Sequence, residues 1–148
     1  MQDWYDRIQR YSNRHYIESV IKKYPIELYL PENISFDGVI ETQGLIRLEG
    51  KFKGRIHCPA VILAPGAVVT AEIESQWILI EGHFRGIARV SFLYLAHQGR
   101  CDGDVRTRSL YVEEGAIMKA RVFIEEKETS ERKSDEASLP VPGTTRER

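Results

Sequence analysis

The chain has 148 residues, which is enough for one domain with its own core and too few for two. Its 21 Lys and Arg residues nearly balance its 22 Asp and Glu residues, so no net charge attracts a nucleic acid, and we expect no nucleic-acid partner. No apolar run approaches the roughly 20 residues that cross a bilayer, and the N-terminus lacks the apolar stretch of a signal peptide.

Residues 1–25 are predicted to form a helical leader. Their apolar side chains fall on two opposite sides of one helical wheel, and a break near Ser12 and Asn13 resolves them into two short amphipathic helices that end at Pro25. Such a leader could pack on the rest of the chain, dock a partner protein, or lie in a membrane interface. The residues expected to serve a partner or a membrane are Trp4, Ile8, Tyr11, Ile17 and Ile21.

Residues 26–124 contain six copies of a degenerate motif, in which an apolar residue, a small residue and another apolar residue alternate with variable ones. The small residues lie 16, 17, 15, 17 and 17 positions apart, and an alternating pair of apolar residues precedes each motif. Alternation of period two predicts short strands with one dry face, and Gly and Pro between them predict tight corners. The small residues are Gly38, Gly54, Ala71, Gly86, Gly103 and Ala120.

A chain that returns to the same place after each repeat forms a solenoid, so the spacing predicts an all-β, single-domain parallel β-helix of about six coils. Stacked about 4.8 Å apart, the coils make a rod roughly 25–30 Å long, in which no coil can bury its inner face alone. One predicted interior column contains Phe36, Phe52, Val69, Phe84, Cys101 and Met118, and the other contains Ile40, Ile56, Ile73, Ala88, Val105 and Val122.

Residues 125–148 combine both charges with Ser, Thr and Pro, and contain almost nothing to bury. Burial therefore cannot offset the entropy of ordering them, and we expect a disordered polar tail. The predicted zones are 1–25, 26–124 and 125–148.

The stretches LIRLEGKFKGRIHCPAVILAPGAVVTAEIE and WILIEGHFRGIARV resemble the repeat of the bactofilins, and the resemblance extends from about Leu28 to Ile124. It implies a right-handed β-helix that assembles without nucleotide into non-polar cytoskeletal filaments. It also implies cell-envelope or morphogenesis proteins as partners. The chain departs from the family pattern in its long leader and in the alanines at positions 71 and 120.

The expected location is the cytoplasm, with peripheral contact at the inner membrane as an alternative. Cys58 and Cys101 have neither the spacing of a zinc or redox site nor the density of a disulfide-rich secreted domain, which indicates a reducing compartment. Both positions are typical of small inward-facing residues, and buried thiols are usually inert.

The two end coils are the predicted assembly surfaces, because a β-helix leaves unpaired backbone groups and exposed core at each end. The last coil has no polar cap, and two identical ends can meet about a two-fold axis. We predict that the C-terminal surface contains Val112, Met118, Val122, Phe123 and Ile124, and that the N-terminal coil assembles or is capped through Leu28, Leu30 and Phe36.

The alternative architecture is a β-helix of the hexapeptide-repeat type, whose members are small-molecule enzymes or binding modules. Its zinc site needs three histidines, whereas His57, His83 and His97 fall at different registers of the repeat. The sequence supplies no acid–base pair, phosphate cradle or ligand spacing. We therefore expect a structural protein without catalytic, cofactor-binding or metal-binding residues.

Six basic residues at outward positions could form a positive stripe that binds an anionic lipid, a wall precursor or a partner protein. Glutamates are interleaved with them, so an ordinary solvated strand surface is the alternative. The six residues are Arg47, Lys51, Lys53, Arg55, Arg85 and Arg89.

Overall fold

A computed structural model describes residues 14–125 of the chain. Within this range, helix α1 covers residues 14–21 and ten strands follow it. The strands are β1 Ile26–Leu30, β2 Ser35–Glu41, β3 Leu45–Leu48, β4 Lys51–His57, β5 Ala60–Leu63, β6 Val68–Ile80, β7 His83–Leu95, β8 Arg100–Thr107, β9 Ser109–Val112 and β10 Ile117–Ile124.

The strands form a parallel β-helix of six coils, which confirms the fold predicted from the repeat. Each coil contributes one short and one long strand segment. The short-strand ladder runs through β1, β3, β5, the end of β6, the end of β7 and β9. The long-strand ladder runs through β2, β4, the start of β6, the start of β7, β8 and β10, and all pairings in both ladders are parallel.

The observed registers confirm both predicted interior columns. Phe52 pairs with Phe36 and Val69, and four residues later Ile56 pairs with the corresponding positions of its neighbours. Phe52 is 2% exposed and Ile56 is fully buried, because the coils above and below cover them. The alternating apolar pairs of the short strands complete the core, as in Ile46 with Leu48. Burial of this continuous core is the main stabilising contribution to the rod.

The column of small residues lies where neighbouring backbones approach most closely. Gly54, Gly86 and Gly103 have φ angles of 143°, 140° and 118°, and a Cβ atom on any of them would meet the carbonyl oxygen of the small residue one coil earlier. Glycine adopts such angles at little cost. Ala71 occupies the same column without a positive φ and is buried, so alanine is accommodated where the backbone keeps an ordinary angle.

Helix α1 packs across the outer side of the short-strand ladder. Ile17 and Ile21 are fully buried there, in a second apolar cluster with Leu45, Leu79 and Tyr94. In the middle coils the short strands are therefore buried on both sides, whereas their alternating pattern predicted a solvated outer side. The second of the two predicted leader helices is present, while the first lies outside the described residues, as does the predicted tail after Glu125.

Candidate assembly surfaces

Exposed apolar side chains are concentrated in the first and last coils. Of the twelve large hydrophobic residues that are exposed between residues 14 and 125, five belong to the first coil and five to the last. The other two are Tyr16 on the helix and Val68 in the third coil. In the first coil they are Ile26, Tyr29, Ile34, Phe36 and Val39, and in the last coil they are Tyr111, Val112, Ile117, Phe123 and Ile124.

The N-terminal coil exposes one end of the core. Phe36 continues the interior aromatic column and stacks on Phe52 with ring centroids 5.8 Å apart, yet it is 41% exposed because no coil precedes it between residues 14 and 125. Leu30 is 7% exposed and Leu28 is partly buried against the core. Among the described residues, strands β1 and β2 pair on one side only, so this coil presents both apolar side chains and an unpaired backbone edge.

The C-terminal coil exposes the other end of the same columns. Val112 is 48% exposed, and Met118 and Val122 are partly buried against the core. Ile124 pairs with the buried Thr107 of the preceding coil and is itself 59% exposed. In the part of the chain that the structure describes, strands β9 and β10 have a partner on one side only. Apart from Phe123, the predicted residues of this end thus continue the core outward to the exposed face of the last coil.

Phe123 differs from the other predicted residues of the C-terminal coil. It pairs with the exposed Arg106 in an outward column, and the Arg106 guanidinium lies 4.6 Å from the centre of the Phe123 ring. The side chain therefore belongs to the side wall of the last coil and not to its core cross-section.

The sequence prediction missed six of the ten exposed end residues. Val39 and Ile117 lie on the outer side of the long strands, where the other coils mostly carry polar side chains. Ile26, Tyr29 and Tyr111 lie on the outer side of the short strands, which is mostly apolar in the interior coils as well. The available signal was an apolar residue on the outer side of an end coil. The missed residues are Ile26, Tyr29, Ile34, Val39, Tyr111 and Ile117.

The leader residues in the described range lie against the rod. Helix α1 buries its own Ile17 and Ile21 against the short strands, so neither side chain is available to a partner or a membrane. The prediction of that role is wrong for these two residues. Packing on the body of the chain is the alternative that the structure supports for them. Trp4, Ile8 and Tyr11, predicted for the same role, lie outside the described residues.

A charged cluster fastens helix α1 to the corners of the rod. The guanidinium of Arg14 contacts the carboxylates of Glu81 and Glu113. The Tyr94 hydroxyl donates to Glu113 at 2.5 Å, and the backbone N–H of His97 donates to it at 2.7 Å. Burial raises the pKa of the Glu113 carboxyl, but these donors and the guanidinium outweigh it, so the pKa lies below its ordinary value.

The cysteines and histidines form no cluster suited to a metal ion in the described part of the chain. Both cysteines are buried and unpaired, and burial raises the pKa of Cys58 and Cys101 to about 12, which keeps them protonated. Between residues 14 and 125, no three His, Cys, Asp or Glu side chains come together as a metal site would need. No helix of this range is both long and apolar enough to span a bilayer.

The six basic residues do not form a single stripe. Arg47 lies on the short-strand ladder and pairs with Glu49, whereas Arg55 lies on the long-strand ladder and pairs with Glu72 of the next coil. Of the remaining four, Lys53 and Arg85 share one outward column of the long strands with Thr70 between them, while Lys51 and Arg89 lie in two other columns. Their positions match the alternative of a solvated surface.

Comparisons with known proteins agree with this geometry. Residues 28–122 match the family model of the bactofilins, described as polymer-forming cytoskeletal. The fold is similar to that in a cryo-EM reconstruction of Thermus thermophilus bactofilin double helical filaments, with a TM-score of 0.58 and 22% identity over 64% of this chain and 98% of that chain. Comparison with curated proteins gives no match. The matched region includes all six coils, and the chain belongs to the bactofilin family.

Proposed function

We propose that the chain is a structural subunit that assembles end to end through its first and last coils into a filament or scaffold, without nucleotide. The observation that carries this proposal is the concentration of exposed apolar side chains in those two coils. A solenoid that remains monomeric covers its terminal coils with polar residues. Here both ends combine exposed apolar side chains with an unpaired strand edge, and contact between ends removes both from water.

The symmetry of the contact depends on which ends of two subunits meet. Two C-terminal coils that meet about a two-fold axis bury Val112 and Ile124 of both copies in one isologous contact. If two N-terminal coils also meet, the filament has no polarity. If the leader covers the N-terminal coil, assembly stops at dimers.

The cellular role proposed for this polymer is to hold cell-envelope or morphogenesis proteins in place, in the cytoplasm or peripherally at the inner membrane. Membership of a polymer-forming cytoskeletal family supports a structural role over the alternative of a hexapeptide-type enzyme. Two unpaired cysteines are typical of a reducing compartment. Imaging a tagged copy, beside a strain that lacks the protein, tests the location and the process served.

Sedimentation of the purified protein tests self-assembly. We expect polymer to pellet with or without added nucleotide and to persist at high salt, because apolar contacts between ends are not screened as charges are. Protein that stays monomeric or trimeric at low micromolar concentration under all salt conditions would contradict the proposal.

A further inference from the structure

Helix α1 lies along the rod with its N-terminal end toward the last coil. Strand β1 of the first coil follows the helix directly after Pro25. At the other end of the helix, Arg14 contacts Glu81 at a corner of the fourth coil and Glu113 at the same corner of the sixth. The N-terminal segment, residues 1–13, therefore joins the described part of the chain beside the last coil.

The apolar face beneath the helix continues past it to the last coil. The ring of Tyr16 on α1 contacts Trp77 and Phe92, with ring centroids 6.1 Å away in both cases. Phe92 stacks in turn on Tyr111 of strand β9, with centroids 5.1 Å apart. Tyr111 is nevertheless 38% exposed. The face that α1 covers thus ends in an exposed aromatic side chain, close to where the N-terminal segment begins.

The sequence of the N-terminal segment suits this exposed surface. Trp4, Ile8 and Tyr11 are spaced by four and three residues, a pattern that predicts one apolar side of a helix. Thirteen helical residues span about 20 Å, which exceeds the roughly 13 Å of the four-residue strand β9. The segment is therefore long enough to lay its apolar side across the last coil.

We propose that the N-terminal segment packs on Tyr111 and Val112 of its own chain and so covers the C-terminal end of the rod. The contact continues the interface that α1 already makes with the short strands, and it removes two exposed apolar side chains from water. Its consequence for assembly rests on the proposed end-to-end contact. Because Val112 belongs to the predicted C-terminal surface, two C-terminal ends meet only when the segment has moved away. The segment then opposes assembly at the last coil and not at the first.

Pairs of introduced cysteines test where the N-terminal segment lies. Ile8→Cys is combined either with Tyr111→Cys in the last coil or with Tyr29→Cys as the matched control. Tyr29 occupies the same column of the short strands in the first coil and is 50% exposed. The native cysteines are buried, so they do not compete during mild oxidation.

Electrophoresis without reductant, after oxidation below the assembly threshold, gives the readout. We expect an intramolecular disulfide, seen as faster migration, in the pair with Tyr111→Cys and its loss in the pair with Tyr29→Cys. Equal crosslinking of both pairs, a disulfide with the first coil alone, no disulfide in either pair, or a band of twice the subunit mass would overturn the proposal. If neither pair reacts and Trp4→Ser abolishes binding to phosphatidylglycerol vesicles, the segment serves a membrane surface instead.

Trp4→Ser tests whether the cover opposes assembly. Loss of one large apolar side chain weakens the cover, so the assembly threshold in pelleting assays should fall by about three-fold or more. Tyr5→Ser is the matched control, because Tyr5 lies about 100° from Trp4 around a helix and should leave the threshold unchanged. Circular dichroism checks that both variants fold. An unchanged or higher threshold for folded Trp4→Ser would overturn the inferred opposition to assembly.

A failure of end-to-end assembly is distinguishable from a failure of this contact. If neither the parent nor Trp4→Ser forms polymer, the proposed function fails. The disulfide test uses unassembled protein, so its result still decides whether the N-terminal segment covers the last coil.

Discussion

Ile124→Arg should break the contact between C-terminal ends. Ile124 is 59% exposed in the last coil of the described residues, and it pairs with the fully buried Thr107 of the coil before it. Full burial of such a side chain contributes about 1.5–3 kcal/mol, so completing its burial contributes about 1–2 kcal/mol per copy and about 2–4 kcal/mol for two copies. Losing that contribution weakens the contact by about 30- to 700-fold, and desolvation of two facing arginines weakens it further.

The matched control is Val68→Arg, which also replaces an exposed apolar residue but lies in the third coil. Pelleting assays across a concentration series should show a higher assembly threshold for Ile124→Arg and an unchanged threshold for Val68→Arg. Circular dichroism checks that both variants fold. Phe123→Arg should have a smaller effect, because Phe123 lies on the side wall. Parent-like polymer from folded Ile124→Arg would refute the assignment of this coil as an assembly surface.

Four further variants or probes test the fold itself. Ile17→Ala should lower the free energy of unfolding by about 2–5 kcal/mol in urea titrations, because it leaves a cavity under the helix. Gly86→Ala should destabilise the rod, since its Cβ would meet a backbone carbonyl; parent-like thermal unfolding would contradict this. Cys58 and Cys101 should resist a thiol reagent at pH 8 until urea unfolds the chain, since burial raises their pKa to about 12. Glu113→Gln should lower the free energy of unfolding at pH 7, because a carboxyl whose pKa is lowered by folding stabilises the folded state at pH values above its ordinary pKa of 4.5. The difference in free energy of unfolding between parent and variant should shrink as the pH falls below that value.

The interior of the rod could be predicted from the sequence because every second residue of a strand is apolar and faces the core. The positions of Phe52 and Ile56 in their columns follow from period-two alternation and from the spacing of the small residues, and the registers agree. Gly54 marks the close approach of backbones, a feature that small residues at a fixed position predict. These features depend on local pattern and on stacking alone.

The outer side of the short strands could not be assigned in the same way. Leu79 and Tyr94 occupy positions that alternation labels as solvated, yet both are buried beneath helix α1. The available signal was a run of consecutive apolar residues, since strands that are buried on both faces lose the alternation of apolar and polar side chains. Which segment covers them depends on tertiary contacts of Ile17 and Ile21, and a helical wheel does not specify these.

The end surfaces could be predicted in part from the sequence. The sequence showed that the last coil lacks a polar cap, and the structure places Val112 and Ile124 where the core is open. Phe123 was assigned to the same surface from its apolar character, but its place in the strand directs it to the side wall, where it contacts Arg106. Phe123 and Ile124 are adjacent in the sequence, so position alone did not show which of them lies on the end surface and which on the side wall. The strand register does show it.

Electron microscopy of filaments formed by the purified protein, without nucleotide, tests the central claim most directly. Six coils stacked about 4.8 Å apart give a subunit length of about 29 Å along the axis. We predict filaments in which the β-helix axis follows the filament axis, with a repeat of about 29 Å, or about 58 Å if like ends meet alternately. Discrete particles at all salt concentrations, or filaments whose subunits touch only through their sides, would contradict the account.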